Sequence, residues 1–196
     1  EPALVLDLPL PWRNAYEKTY HQLQTNQINI LLASYFDSLN GNLSMACTLP
    51  VAGLHIDLVR APDQLIPVLD NLAHYKTLSL GVVDGRNIWR TDLNRQLDLL
   101  ESVIQRFPGA VWLAPSCSLL HVPVDLQSES LSADIKAWLA FATQKLTEIE
   151  ILRLALVEGR DSAAPELNAA RQALQQRQTS VTIHNPQVKQ RLGSVN

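Results

Sequence analysis

The chain has 196 residues, 46% of them hydrophobic and 18% charged, which is enough for one domain with a substantial core. Its formal net charge of −3 gives no electrostatic footprint for nucleic acid or an anionic membrane. The apolar stretches are shorter than the roughly 20 residues of a membrane helix, and no secretion signal opens the chain. Two cysteines, Cys47 and Cys117, are too few for a disulfide framework, so we expect a cytoplasmic protein.

The first residues indicate that the chain is a fragment of a longer protein. It opens on Glu1-Pro2 without an initiator Met, and residues 3–6 (ALVL) have the character of the end of a buried segment. Because a natural domain rarely begins inside an apolar run, we expect that an upstream part is missing. We interpret residues 3–6 as the remnant of a strand.

Beyond this remnant, predicted strands and helices alternate. Pro9 and Pro11 favour a helix that begins close to them, because proline is tolerated in a first helical turn. Residues 29–35 (NILLASY) form a continuous apolar run, which is typical of a parallel strand covered on both faces. In chain order the predicted elements are a helix over 12–23, a strand over 29–35, a short polar helix near 43–46, a strand over 54–59, a helix over 61–75, a strand over 78–83, a helix over 92–107 and a strand over 110–114.

This alternation predicts βα units and a parallel sheet. A complete eight-stranded barrel usually needs about 250 residues, whereas the predicted strands end near residue 115. The fold class that we expect is therefore α/β of the (β/α)8 TIM-barrel type, present as a partial barrel with a helical C-terminal extension.

The extension is predicted to begin with one long helix. Ser132 is placed to cap its start, and Gly159 stands where its C-cap is expected. The apolar stripe of this helix comprises Ile135, Leu139, Ala142, Leu146 and Ile149. A second, more polar helix is expected over 164–178. A β-like patch at 181–183 (VTI) then precedes Asn185-Pro186, which is typical of a linker.

Three junctions between a predicted strand and the loop after it carry many of the chemically reactive side chains. They are GLHIDLVRAP (53–62), LSLGVVDGRNIWRTDL (78–93) and VWLAPSCSLLHVPVDL (111–126). In a parallel α/β barrel the functional loops lie at the carboxyl ends of the strands, so the junctions indicate one functional face.

The third junction contains a possible pair of metal ligands. Cys117 and His121 form a C-x3-H spacing that would place both side chains on one face of a helical turn. Two ligands do not hold a zinc ion, however, and no second Cys/His pair at ligand spacing occurs in the sequence. The residues alone favour a buried thiol and a hydrogen-bonded histidine.

The first two junctions leave alternatives open. His55 and Asp57 point to the same side of one strand, and they could be a catalytic dyad or a paired polar layer. Residues 84–87 (DGRN) favour a turn, with anion binding by Arg86 as a secondary interpretation. Trp89-Arg90 could stack on a planar ligand, although anchoring the next helix is favoured. The sequence contains no G-x-S-x-G, P-loop or G-x-G-x-x-G motif.

Taken in order, these stretches resemble one family, the cobalamin-independent methionine synthases, and within it the second half of the amino-terminal barrel with the linker that follows. The resemblance covers nearly the whole chain. Its most specific stretches are EPALVLDLP (1–9), GLHIDLVRAP (53–62), GVVDGRNIWRTDL (81–93), SCSLLHVPVDL (116–126), KAWLAFATQKL (136–146) and TIHNPQVKQRL (182–192).

The resemblance implies a chemistry that belongs to another part of the enzyme. Members of the family move a methyl group from 5-methyltetrahydropteroyl-polyglutamate to homocysteine, giving methionine. A zinc ion in their carboxyl-terminal barrel activates the homocysteine thiol, because a metal lowers the thiol pKa. That barrel resembles a duplicate of this one, and its ligand positions match Ser34, Phe36, Asp57 and Cys117. Its acid/base histidine falls near Arg86.

Ser34 and Phe36 cannot replace an imidazole and a thiolate, so the resemblance implies that this chain binds no zinc or other cofactor. We expect no catalytic residue in it, and we interpret Cys117 as the remnant of a ligand position. The candidate substrate-facing residues are Asp57, Asp84, Arg86, Asn87, Ser116, Cys117 and His121.

The resemblance also predicts boundaries and partners. Residues 1–158 would be the C-terminal half of the barrel, about strands 4–8, followed by an extra helix over 159–178 and an interdomain linker over 179–196. The expected partners are the upstream half-barrel, the catalytic barrel, a folate polyglutamate and homocysteine, with no nucleic acid or membrane. Loops at 36–42, 59–62, 84–91 and 115–124 would face the catalytic barrel.

Two roles remain open for the segment. It could close the active site and help to hold the folate, or it could be purely structural. A free-standing binding domain is a third interpretation, which the opening of the chain disfavours. Because half a parallel barrel leaves open edges and uncovered apolar faces, we expect the isolated chain to self-associate.

Overall fold

The structure, a computed structural model, describes residues 1–24 and 28–194. Its helices and strands are, in chain order, α1 (Leu10–Leu23), β1 (Leu31–Ala33), α2 (Leu43–Thr48), β2 (Gly53–Asp57), α3 (Leu65–Asn71), β3 (Thr77–Val83), α4 (Leu93–Arg106), β4 (Val111–Pro115), α5 (Ala133–Trp138), α6 (Ala142–Glu158), α7 (Ala164–Thr179) and α8 (Pro186–Gly193). The predicted alternation of strands and helices up to β4 is confirmed.

The four strands form one parallel sheet in the order β1-β2-β3-β4. His55 of β2 lies opposite Ala33 of β1 and Ser79 of β3. The α/β class and the parallel sheet are therefore confirmed, and the arrangement is consistent with part of a (β/α)8 barrel. Because all strands run in the same direction, the loops that follow them leave from one edge of the sheet.

The chain forms two compact units. Unit 1 comprises Glu1–Asn87 and Asp98–Val122 and contains the whole sheet, whereas unit 2 comprises Ile88–Leu97 and Pro123–Asn196. Helix α4 begins in unit 2 and continues in unit 1.

Side-chain alternation gives the sheet of unit 1 two different faces. One face is aliphatic and buried, and it consists of Leu32, Leu54, Ile56, Leu78, Leu80 and Val82. The helices of unit 1 add further buried residues, among them Val68, Leu69, Leu100 and Val103. Removal of these side chains from water is the main stabilising contribution to the unit.

The opposite face of the sheet is exposed at its two outer strands, and we call it the open face. Trp112 is 55% exposed and Leu31 is 40% exposed, and both line a groove of about 460 Å³ together with His55 and Ser79. Within the described residues, β1 and β4 each pair with one strand only, so the outer edge of each faces no other strand.

Unit 2 corrects the prediction of one long helix after Ser132. The helix is interrupted between α5 and α6, where Leu139 forms an antiparallel bridge with Trp89. The Ala140 amide donates to the Ile88 carbonyl at 2.8 Å, and the Arg90 amide donates to the Trp138 carbonyl at 2.9 Å. These long-range bonds replace the helical ones. Leu139 then packs in a small core with Leu126 and Phe141, against which Ile88 and Ile135 also pack.

The interruption also changes which side of α6 is buried. Leu146, predicted to lie on the apolar stripe, is 56% exposed. The buried residues of α6 are instead Lys145, Glu148, Leu152 and Ala155. Gly159 ends the helix as predicted, with a φ of 92° that favours glycine.

Both ends of the chain differ from the prediction. Pro2–Val5 form a 3-10 turn with Leu4 buried, so residues 3–6 are not a strand. The β-like patch at 181–183 is a turn. Asn185-Pro186 begins α8, because the Asn185 side chain accepts from the Gln187 amide at 2.9 Å and so caps the helix. In the described part of the chain no helix has the length and apolar character needed to span a membrane.

Candidate functional site at the carboxyl rim of unit 1

The predicted candidate residues lie where the strands of unit 1 end. Asp57 is the last residue of β2, residues 84–87 follow β3, and residues 116–121 follow β4. We call this region the rim. Phe36, which follows β1, joins these loops through contacts with Asp57, Arg86 and His121.

Asp57 organises the backbone at the rim. Its side chain is 1% exposed, and its Oδ1 accepts from the amides of Val59 and Arg60, both at 2.9 Å. Its Oδ2 accepts from the amide of Phe36 at 3.1 Å. Three amide donors therefore stabilise a buried carboxylate and tie the loop after β1 to the loop after β2.

Phe36 has an unusual backbone conformation. Its φ is 84°, in the left-handed region that a residue with a side chain rarely adopts. The ring is surrounded by Tyr35, at 4.7 Å between centroids, and by His121, at 5.5 Å. The guanidinium carbon of Arg86 lies 4.6 Å from the ring centroid, in cation–π geometry. This conformation brings an aromatic ring under the Arg86 guanidinium.

Residues 84–87 form the predicted turn. The Asp84 Oδ1 accepts from the Arg86 amide at 2.8 Å, and its Oδ2 accepts from the Asn87 side chain at 2.6 Å. Gly85 lies so close to the next loop that a Cβ there would be 2.7 Å from the Cys117 carbonyl. The Gly85 amide donates to Ser116 Oγ at 3.1 Å. The turn is therefore held in register with the loop after β4.

His55 belongs to a polar layer on the open face of the sheet. Its Nδ1 lies 2.9 Å from Ser79 Oγ, and its Nε2 lies 3.4 Å from the Ser116 carbonyl. Burial lowers the pKa of His55 below its ordinary value. His55 bonds Ser79 and Ser116 while Asp57 bonds backbone amides, so these contacts favour a polar layer over a dyad in which the two side chains bond each other.

Cys117 and His121 lie in different surroundings. Cys117 is buried, and burial raises the pKa of its thiol. His121 is exposed and contacts Phe36. Across residues 1–24 and 28–194, no three His, Cys, Asp or Glu side chains are grouped closely enough to bind a metal ion. The Ser34 hydroxyl, at another position matched to a zinc ligand, is buried without a hydrogen-bond partner.

Sequence reasoning missed two buried lysines. Lys76, only 2% exposed, donates from Nζ to the carbonyls of Cys47 at 2.7 Å and Leu49 at 2.6 Å, at the end of α2. Lys145 in unit 2 is fully buried and donates to the Trp89 carbonyl at 3.2 Å. A single lysine beside apolar residues forms no sequence motif, so nothing in the sequence indicates that it is buried and bonded to backbone carbonyls.

Unit 2 holds a buried carboxylate that was also missed. Glu148, 5% exposed, accepts from the Thr91 amide at 2.9 Å and the Thr91 hydroxyl at 2.7 Å. Burial raises its pKa. In the same unit the Arg177 guanidinium lies 4.3 Å above the Trp89 ring. These contacts support the interpretation of Trp89-Arg90 as an anchor, because backbone and ring are both engaged within unit 2.

The fold and the rim define a class of protein: an α/β domain with a parallel sheet whose polar groups gather at the carboxyl ends of its strands. Residues 1–108 match the family model described as the N-terminal domain of cobalamin-independent synthase. The chain belongs to this family, as its sequence resemblance predicted.

Curated relatives are similar to the chain over its whole length. A 5-methyltetrahydropteroyltriglutamate–homocysteine methyltransferase of Coxiella burnetii is 52% identical over 197 aligned residues, which cover 100% of this chain and 25% of the relative. The enzyme of the same name from Saccharophagus degradans is 50% identical over 196 residues, covering 100% of this chain and 26% of the relative. The chain thus spans about a quarter of the length of these relatives.

Proposed function

We propose that the chain is part of the N-terminal barrel of a cytoplasmic methyltransferase that moves a methyl group from 5-methyltetrahydropteroyl-polyglutamate to homocysteine, giving methionine. The observation that carries the proposal is identity of 50–52% along the full chain to two enzymes that are named for this reaction. In this proposal the barrel structures the substrate site and closes it, while the chemistry and the zinc belong to another barrel of the same protein.

The contacts at the rim favour a binding role over catalysis. A general base needs an available lone pair and a pKa near the working pH. Both Asp57 oxygens are engaged by backbone amides, and burial lowers the pKa of His55. A nucleophilic thiol needs a lowered pKa, whereas burial raises that of Cys117. Ser34 and Phe36 cannot replace an imidazole and a thiolate as ligands, so zinc does not fit this set of side chains, and we expect no turnover by the chain alone.

The open face of the sheet supports the proposed partners. Trp112 and Leu31 are large apolar residues that lie at an exposed groove of the sheet. In the proposal an upstream half-barrel covers them, and the rim loops face the catalytic barrel. Without that half we expect self-association, because exposed apolar surface and unpaired strand edges favour contact with another molecule. A monodisperse monomer with one cooperative melting transition would contradict this expectation.

A segment exchange tests the function. The chain would replace its aligned quarter in the C. burnetii methyltransferase, and methyl transfer from methyltetrahydropteroyltriglutamate to homocysteine would be measured beside the unmodified enzyme. We expect an active chimera that contains zinc, and an isolated chain with neither zinc nor activity. A folded chimera without activity, or turnover by the isolated chain, would refute the proposal.

The same chimera separates closure of the site from a purely structural role, which is the alternative proposal. Arg86→Ala and His121→Ala remove exposed side chains of the rim. If the rim helps to hold the folate, the KM for the folate should rise while thermal stability is kept. If the role is structural, the variants should lose stability with unchanged kinetics.

A further inference from the structure

Arg86 is an exposed cation that lies over an aromatic ring and has no carboxylate partner among the described residues. Its guanidinium lies over the Phe36 ring, 4.6 Å from the centroid. Its backbone amide is held by Asp84 Oδ1 at 2.8 Å, so the residue is fixed at both ends. Within the described residues the guanidinium makes no hydrogen bond and no ion pair with another side chain.

The neighbouring carboxylates do not compete for this charge. Asp84 directs one oxygen to the Arg86 amide and the other to the Asn87 side chain, and Asp57 directs its oxygens to three backbone amides. The five N–H donors of a guanidinium form a rigid planar fork that matches a carboxylate. Stacking on an aromatic ring leaves the edge of that fork available and limits its motion.

The support under Arg86 is itself costly to build. Phe36 is kept in a left-handed conformation, which for a residue with a side chain is strained, and the Asp57 carboxylate accepts its amide. Tyr35 and His121 then enclose the ring. Residues at the carboxyl ends of β1, β2, β3 and β4 thus combine to place one guanidinium at the rim.

We propose that Arg86 is the carboxylate-binding residue of the rim, and that Phe36 is the positioning residue that orients its guanidinium. Resting on the proposed function, the carboxylate has two sources, the glutamyl tail of the folate and the amino-acid carboxylate of homocysteine. The two share one recognition chemistry, a charge-assisted bidentate pair, and the experiment separates them.

The experiment is a titration of the chimera described above, in which the C. burnetii enzyme supplies the rest of the protein, followed through the Nε–H signal of Arg86 in ¹⁵N NMR spectra. The probes are γ-linked triglutamate and homocysteine, added separately. We expect a saturable shift of the Arg86 signal with at least one probe, and the probe with the higher affinity identifies the source. A signal that neither probe moves would overturn the proposal.

Three variants test whether binding needs the guanidinium fork of Arg86 and the ring of Phe36. Arg86→Lys keeps the charge and loses the fork, so we expect the affinity, followed for this variant through the backbone amide signal of residue 86, to fall roughly tenfold. Phe36→Leu keeps an apolar side chain but removes the ring, and it should weaken binding while leaving the Arg86 backbone amide signal in place. Arg106→Gln is the control, because Arg106 pairs with Asp70 on the surface of unit 1. Equal weakening by this control would mean that only net charge matters and would refute the site.

The result of this titration can be told apart from the result of the segment exchange that tests the proposed function. An active chimera combined with an unresponsive Arg86 would refute this inference alone. A saturable, fork-dependent shift combined with an inactive chimera would refute the proposed methyltransferase and leave the carboxylate site supported.

Discussion

Replacing Asp57 by asparagine tests whether one buried carboxylate holds the rim together. The change keeps the size of the side chain and exchanges one acceptor oxygen for an amide donor. Asparagine can retain the bonds to Val59 and Arg60 through its remaining oxygen. Its NH2 group would then face the Phe36 amide, where two donors meet and no bond forms.

The loss of stability expected for Asp57→Asn follows from these contacts. Loss of a hydrogen bond to a charged acceptor costs about 1.5–3 kcal/mol, and the two retained bonds weaken because their acceptor becomes neutral. If Phe36 relaxes from its φ of 84°, roughly 1–3 kcal/mol of strain is recovered. We expect a net fall of about 2–3 kcal/mol in the free energy of unfolding, together with movement of the Phe36 ring.

Urea unfolding monitored by circular dichroism would measure the loss, with Asp63→Asn as the control. Asp63 is an exposed carboxylate in the 3-10 turn before α3, so its replacement removes the same charge from unit 1. NMR shifts of His121, whose ring lies 5.5 Å from that of Phe36, would report the displacement of the ring. A loss no larger than that of the control, with His121 unmoved, would refute the reasoning.

Three further predictions concern other buried groups of unit 1. Lys76→Met leaves the buried Cys47 carbonyl without this donor and leaves the Leu49 carbonyl with the Val51 amide, so it should lower the unfolding free energy by about 1–3 kcal/mol. The exposed Lys18→Met should change it little, and equal effects in urea unfolding would contradict this. His55 has a pKa below its ordinary 6.5 in the folded state, so the unfolded state binds more protons and stability should fall as the pH drops below 6.5. His55→Gln should flatten that slope, and an unchanged slope would show that another group causes it. Burial raises the pKa of Cys47 to about 11 and also raises that of Cys117. Mass spectrometry should therefore find both thiols unmodified by iodoacetamide at neutral pH until urea is added. Rapid labelling of the native protein would be inconsistent with their burial.

The sequence was sufficient where local chemistry decides the structure. Apolar runs such as residues 78–83 predicted buried parallel strands, and β3 was found at Thr77–Val83. The turn at 84–87 follows from Asp, Gly and Asn, whose preferences are local, and in the structure Asp84 accepts two hydrogen bonds within this turn. Alternation also placed His55 and Asp57 on one side of β2 correctly.

Prediction was wrong where distant residues compete for the same backbone. Residues 139–141 (LAF) are compatible with a helix, but the bonds of Leu139 and Ala140 to residues 88–89 hold them in an extended conformation. Asn185-Pro186 was ambiguous because asparagine and proline are favoured both in turns and at the start of a helix. Lys76 became buried because its Nζ reaches the Cys47 and Leu49 carbonyls at the end of α2, a contact between residues about 27–29 positions apart that the sequence does not reveal.

Phe36 shows why the candidate site was only partly predictable. Its residue type argued against a zinc ligand, and nothing local indicated a left-handed backbone. That conformation exists because Asp57 accepts the Phe36 amide and because three side chains enclose the ring. A strained backbone conformation such as this one persists only when the surrounding contacts stabilise it by more than the strain costs. A purely structural rim could avoid that strain with glycine at this position, whereas glycine would remove the ring on which Arg86 is stacked. The choice of phenylalanine therefore favours a rim built to present Arg86 to a ligand.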